Sequence, residues 1–165
     1  IHSNSERINV IANISSENVI HFETALREFN EDANKTATIS YKLENKIFTT
    51  LAKIDHIVFK TTAYSAVLNE KADSHFANHE GCRLGKWYQS PEVKSRFGMT
   101  KSYAMMDEPH KIVHSCTLEN IERVKEGYTM TNIHVFVDTF KKMEEASKKL
   151  FKLLDGLIQD IDTQK

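Results

Sequence analysis

Glycine and proline are scarce and arrive late in this chain. Its 165 residues hold five glycines and two prolines, with Gly81 the first glycine and Pro91 the first proline. A long opening stretch without either breaker argues against a turn-rich β fold there and permits very long helices. Cysteine is nearly absent: Cys82 and Cys116 are the only two, too few for a disulfide framework. With no signal-peptide pattern at the start, that usage suggests a reducing, cytoplasmic setting in which thiolates bind metals rather than pair. A formal charge of -1 gives no electrostatic reason to expect nucleic acid or an anionic membrane surface as partner. No apolar run approaches the roughly 20 residues that span a bilayer. The chain opens on Ile1, which reads as a piece of a longer protein.

What is present is helical periodicity. Apolar or small residues recur at Phe22, Leu26, Phe29, Ala33, Thr36, Ser40, Leu43, Ile47, Thr50 and Ile54, in steps of four and three that favour a helix lying along another helix. If continuous, some sixty such residues extend about 90 Å. Ile57, Thr61, Tyr64 and Leu68 carry the pattern past His56, and the polar stretch 71–79 ends it. Residues 81–106 hold Gly81, Gly85, Pro91 and Gly98, which predicts short helices and loops. Pro109 suits the first turn of a new helix, with Asp107 or Glu108 near its cap. That helix runs through His110, His114, Leu118, Ile121 and Val124, with Gly127 as its stop. The last helix repeats the register at Phe136, Phe140, Met143, Ser147, Leu150, Leu154, Leu157 and Ile161. Only Ile133–Val137 looks β-like. The fold class is all-α: a four-helix-bundle-like domain preceded by a long N-terminal helix.

The chemistry concentrates in His79-Glu80-Gly81-Cys82-Arg83-Leu84-Gly85-Lys86-Trp87-Tyr88, which holds the sole tryptophan and a lone cysteine. His110 and His114 are four apart, so a helix projects both imidazoles from one face, one turn apart, where they can bind one ion. Cys82 adds a soft anionic donor that selects zinc over magnesium or calcium. A closed tetrahedral site needs a fourth ligand. His56 on the long helix is the first candidate. His79, three before Cys82, is its rival, and spacing alone leaves the two open. Cys116 falls off the face of the histidine pair and reads as core. His2, His21 and His134 read as surface or seam residues, and His75 has no assigned place. Trp87 and Tyr88 read as anchors for the Cys82 segment. Gly85-Lys86 lacks the wider glycine spacing of a phosphate loop.

Together, Asp55-His56-Ile57-Val58-Phe59-Lys60, the run His79-x-x-Cys82-Arg83-Leu84-Gly85-Lys86-Trp87-Tyr88 and Pro109-His110-x-x-x-His114 resemble the chemoreceptor zinc-binding domain, over roughly residues 43–160. The Cys-Arg-Leu-Gly-Lys-Trp-Tyr run is the most specific part. The resemblance implies a three-histidine, one-cysteine Zn2+ site on His56, Cys82, His110 and His114, and it selects His56 over His79. Residues 1–42 are similar to the end of a bacterial chemoreceptor's cytoplasmic signalling helix, leaving 43–165 as the zinc-binding domain. The family implies a homodimer formed through helices and output to the chemotaxis histidine kinase and coupling protein through the rest of the receptor. It also implies regulation by zinc or by oxidants such as hypochlorous acid.

The expected function is that of a sensory module rather than an enzyme, with Cys82 as redox-sensing ligand. Four protein ligands leave no open position for zinc-bound water. Rival readings are a structural zinc staple in a dimerisation module and a zinc hydrolase with three ligands and water. The hydrolase would need Glu80 or Glu108 as base, and neither sits in a hydrolase motif. A di-iron bundle would want more histidines and paired carboxylates and has little use for a thiolate.

Overall fold

The structure is a computed structural model that describes residues 2–163. It divides into two compact units, Ile1–Glu44 and Asn45–Lys165. Among the described residues it is all-α, with no strand. The elements are α1 (His2–Leu68), α2 (Arg83–Gln89), α3 (Pro91–Phe97), α4 (Lys101–Lys125), a 3₁₀ turn (Met130–Asn132) and α5 (Ile133–Thr163). No helix among the described residues is long and apolar enough to cross a membrane.

The first unit is the opening part of α1. Its large apolar residues, including Ile11, Phe22, Leu26 and Phe29, are exposed within the chain. The heptad series expected from sequence therefore forms helix, and its large apolar residues in this unit are exposed.

The second unit packs the rest of α1 with α2 to α5 around a core in three parts. At one end, Ala52 of α1 meets Leu84, Val93, Phe97, Tyr103, Met106, Leu150, Leu154 and Leu157. In the middle Val113 and Cys116 pack with Met143 and Ala146, and at the other end Ala66 and Val67 pack with Ile121, Val124 and Phe136. Cys116 is core, as its spacing predicts. The α5 register is borne out from Phe136 to Leu157, with Phe140 partly buried. The side chains of Ile161 and His2 lie outside the described residues.

Three expectations change. The buried row of α1 is Thr49, Ala52, His56, Lys60, Ala63, Ala66 and Val67, whereas Ile54, Ile57 and Leu68 point outward. His56 thus sits beside the expected seam rather than on it. Small residues line this row because they let the helix approach its neighbours closely, so hydropathy alone marks the wrong side. Second, α4 starts at Lys101 rather than at Pro109, which lies buried inside the helix. Pro109 removes one intrahelical bond, a cost of about 3 kcal/mol in a helix interior. The preceding turns are held by other means. The Thr100 hydroxyl accepts from the Tyr103 N–H, Asp160 on α5 accepts from the Ser102 N–H at 2.9 Å, and Tyr103 and Met106 are buried. Third, Leu118 is exposed, and Thr117 and Asn120 occupy the buried face. Asn120 donates to the Phe136 carbonyl and accepts from Arg123, which also donates to Thr139 on α5. The β-like run Ile133–Val137 is the first turn of α5. Gly127, with φ +88°, follows the Glu126 cap of α4, the left-handed position that favours glycine after a helix.

Candidate metal centre

Three chain segments deliver four donor atoms to one point. α1 supplies His56, α4 supplies His110 and His114 from adjacent turns, and Cys82 is the N-cap of α2. One donor atom from each lies within 4.8 Å of all the others. The three rings are mutually edge-on, with centroids 5.0 Å (His56–His110), 5.4 Å (His56–His114) and 4.9 Å (His110–His114) apart. Each histidine is 2 % exposed.

Backbone carbonyls orient two of the rings. His56 Nδ1–H donates to the Ala52 carbonyl at 2.7 Å, and His114 Nδ1–H donates to the Ala77 carbonyl at 2.8 Å. Since a carbonyl only accepts, each ring carries its proton on Nδ1 and turns a bare Nε2 lone pair inward. Those two Nε2 atoms are buried and have no hydrogen-bond partner. Such orphaned acceptors are costly in a protein interior unless something else takes the lone pair. The pattern of one ring nitrogen bonded to a carbonyl and the other free is what a metal-ligating histidine presents.

Cys82 completes the set. Its sulfur lies 3.2 Å from His110 Nε2 and accepts from the Gly85 N–H at 3.3 Å. Thiolate and imidazole on one tetrahedral zinc sit roughly 3.6 Å apart, from bonds of about 2.3 and 2.1 Å. The observed separation needs little adjustment. Three nitrogens and a sulfur form the donor set of a closed zinc site, and the residues fit that ion.

Burial sets the protonation states. It pushes the His110 imidazole down to about 2, helped by His56, His114 and His79 nearby, and it pushes His114 down to about 4. His56 is lowered for the same reason. Burial raises the Cys82 thiol, partly countered by the Gly85 and Leu84 N–H groups. At neutral pH the three imidazoles are therefore already neutral, and only the thiol holds a proton that a metal must displace. Zinc binding at pH 7 is expected to release about one proton per ion, measured by calorimetry in buffers of different ionisation enthalpy. Release of two or more would mean that histidines are charged in the metal-free protein.

The neighbours expected to anchor Cys82 lie where they can do so. Trp87 stacks on Phe48 of α1 at 4.5 Å and tilts onto Phe97. Tyr88 stacks on Tyr103 of α4 at 4.3 Å, and Tyr103 donates its hydroxyl proton to the Tyr88 carbonyl. His79 is half-buried beside His110, outside the four converging donors. His21, His75 and His134 are exposed. A cavity of about 60 Å³ is lined by Asp55, His56, Phe59, Cys82, Arg83, Leu84 and His114. Arg83 and Asp55 form an ion pair of 3.1 Å at its wall. Nothing in the sequence pointed to the Ala52 and Ala77 carbonyls, because backbone partners carry no side-chain signature. Gly85 was visible as a glycine but not as the N–H that caps the sulfur.

Residues 56–121 match the family model of the chemoreceptor zinc-binding domain. Searches of the curated proteins and of the solved structures gave no match. The matched segment begins at His56 and takes in Cys82, His110 and His114. Residues 56–121 are thus similar to a chemoreceptor zinc-binding domain, and the four converging side chains all lie inside that matched segment.

Proposed function

We propose that this chain is the zinc-binding sensory end of a bacterial chemoreceptor, working in the cytoplasm, with His56, Cys82, His110 and His114 as its zinc ligands and Cys82 as the oxidant-responsive one. The observation that carries this reading is the convergence of three inward imidazoles and one cysteine sulfur, with Cys82 also lining a small cavity. Bound zinc keeps the Cys82 sulfur as thiolate, the form that oxidants attack. The rest is done by the chain. Asp55 and Arg83 wall the approach, and the Gly85 N–H holds the sulfur at the α2 N-cap. Hypochlorous acid converts the thiolate to sulfenic acid: the sulfur gains an S–O bond and yields two electrons, and chloride leaves.

Loss of the sulfur as a donor removes the metal-mediated tie between Cys82 and the α4 histidines, while Tyr88 still holds the 79–89 segment to Tyr103 of α4. That segment reaches α1 through Trp87 and Phe48, so a change at Cys82 can bias α1 between two states. Trp87 and Tyr88 are the site-supporting residues in this scheme. The outward apolar row of α1, with Ile47, Ile54, Ile57 and Leu68 exposed, supports pairing of two copies along this helix as a homodimer. Output would pass to the chemotaxis histidine kinase and coupling protein through the rest of the receptor.

The test is mass spectrometry of the zinc-loaded protein after limited hypochlorous acid. Cys82 is expected to be oxidised before buried Cys116 and before exposed Met99. If Met99 and Cys116 react while Cys82 stays reduced, the oxidant-sensing role fails, and a purely structural zinc staple is what remains.

A further inference from the structure

His79 is the one histidine near the centre that the four-donor set does not use. Its ring centroid lies 5.8 Å from that of His110, against 4.9–5.4 Å among the three donor rings themselves. No side-chain hydrogen bond holds the ring among the described residues, and the residue is half-buried. The imidazole is thus both adjacent and free to turn.

Its backbone, in contrast, is fixed against the site. The His79 carbonyl contacts Cys82 Sγ at 3.5 Å. Asn78 holds the turn through both its carbonyl and its side-chain oxygen, each accepting from the Gly81 N–H. α2 presses so closely on residues 79 and 80 that a Cβ at Gly85 would fall 1.9 Å from the His79 carbonyl oxygen. With the main chain held on both sides of the turn, reaching the centre falls to the His79 side chain alone.

We propose that His79 is a reserve ligand, which turns into the donor set when the Cys82 sulfur leaves it. This role rests on the proposed zinc site and adds the fate of the centre once the sulfur is lost. Oxidation of Cys82 by hypochlorous acid, with chloride as the reduced product, turns a strong thiolate donor into a weak one. His79 then supplies an imidazole nitrogen, a donor suited to zinc. The centre changes from three nitrogens and one sulfur to four nitrogens. It keeps its metal while the His79 ring turns on a fixed backbone, so the response is reversible by thiol reductants without zinc having to be recaptured.

The experiment compares the full chain with His79→Ala, Cys82→Ala and the double variant, by zinc competition against a chromophoric chelator. His79→Ala is expected to bind zinc as the wild type does. Cys82→Ala is expected to bind more weakly yet at one zinc per chain when saturated. The double variant is expected to fall at least about 10-fold below Cys82→Ala, the scale of losing a supporting partner or more. Equal affinity of Cys82→Ala and the double variant overturns the reserve role and leaves the zinc site standing. A wild-type chain that binds no zinc overturns both.

A second measurement needs no variant at Cys82 and so no altered core. Cobalt(II)-loaded wild-type protein treated with hypochlorous acid should lose thiolate-to-cobalt charge-transfer absorption but keep intense four-coordinate ligand-field bands. In oxidised His79→Ala a water must take the fourth position beside three histidines, so its ligand-field bands should differ in position and intensity from those of the oxidised wild type. Identical ligand-field spectra for the two oxidised proteins overturn the proposal.

Discussion

Replacement of His114 by alanine is expected to lower zinc affinity by at least about 100-fold, since even the partners that merely orient a metal ligand are worth 10–100-fold. His114 has two separate duties. Its Nε2 faces the other donors without a hydrogen-bond partner, and its Nδ1–H holds the Ala77 carbonyl at 2.8 Å. Its ring also packs on Phe59, with centroids 4.3 Å apart. Alanine therefore removes the ligand, leaves a carbonyl without its donor and opens space beside an aromatic ring. His114→Asn separates these effects, because the asparagine amide can still reach the Ala77 carbonyl while offering nothing at the Nε2 position. Both variants should lose zinc, by chelator competition and by metal analysis of the purified protein. The metal-free His114→Asn protein should unfold closer to the metal-free wild type than His114→Ala does. Zinc content at the wild-type level in both would remove His114 from the ligand set.

The histidine pair on α4 was legible in the sequence because helical periodicity and ligand spacing coincide there: one turn separates both the side chains and the donors. Cys82 stood out because cysteine is rare in this chain. The path between them was not legible. Sequence periodicity placed α1's important face along Ile54 and Ile57, but the helix buries Ala52, His56, Lys60 and Ala63 instead. Lys60 is tolerated on that face because Glu144 on α5 accepts from it through both carboxylate oxygens, at 2.9 and 2.8 Å, and also accepts from Tyr64. A buried cation matched to a carboxylate eighty-four residues away leaves no local trace, and a removed partner would leave the other charge stranded. Proline misled in the opposite way. The Pro109 signal for a helix start is real as a local preference, but the Thr100 cap, the Asp160 contact and the burial of Tyr103 and Met106 outweigh it. α5, where apolar period and burial agree at almost every step, shows what the sequence conveys when no polar network intervenes.

Gly85→Ala is expected to be the most damaging conservative change in the domain, destabilising it by about 3 kcal/mol or more, at or above the upper end for overpacked cores. Gly85 is buried. An alanine Cβ there would lie 1.9 Å from the His79 carbonyl oxygen and 2.8 and 2.9 Å from the Cα and carbonyl carbon of Glu80. All three are backbone atoms, so no rotamer change relieves the overlap, and either α2 or the 79–80 segment must move away. Both carry the site. The Gly85 N–H caps the Cys82 sulfur, and Leu84 and Trp87 on α2 tie that segment to the core. Displacement of α2 should therefore cost zinc affinity as well as stability, which separates this position from an ordinary core defect. Two other glycines supply the contrast. At Gly81 a Cβ would meet the tip of the Asn78 side chain at 3.2 Å, which can shift. At Gly127 it would meet open space, and the cost there is the left-handed backbone alone, on the order of 1 kcal/mol. Urea unfolding and zinc competition on the three alanine variants should show both losses for Gly85→Ala, a small stability loss for Gly127→Ala with unchanged zinc affinity, and little of either for Gly81→Ala. A Gly85→Ala protein with near-wild-type stability and zinc affinity would mean that α2 does not press on the His79–Glu80 backbone as described.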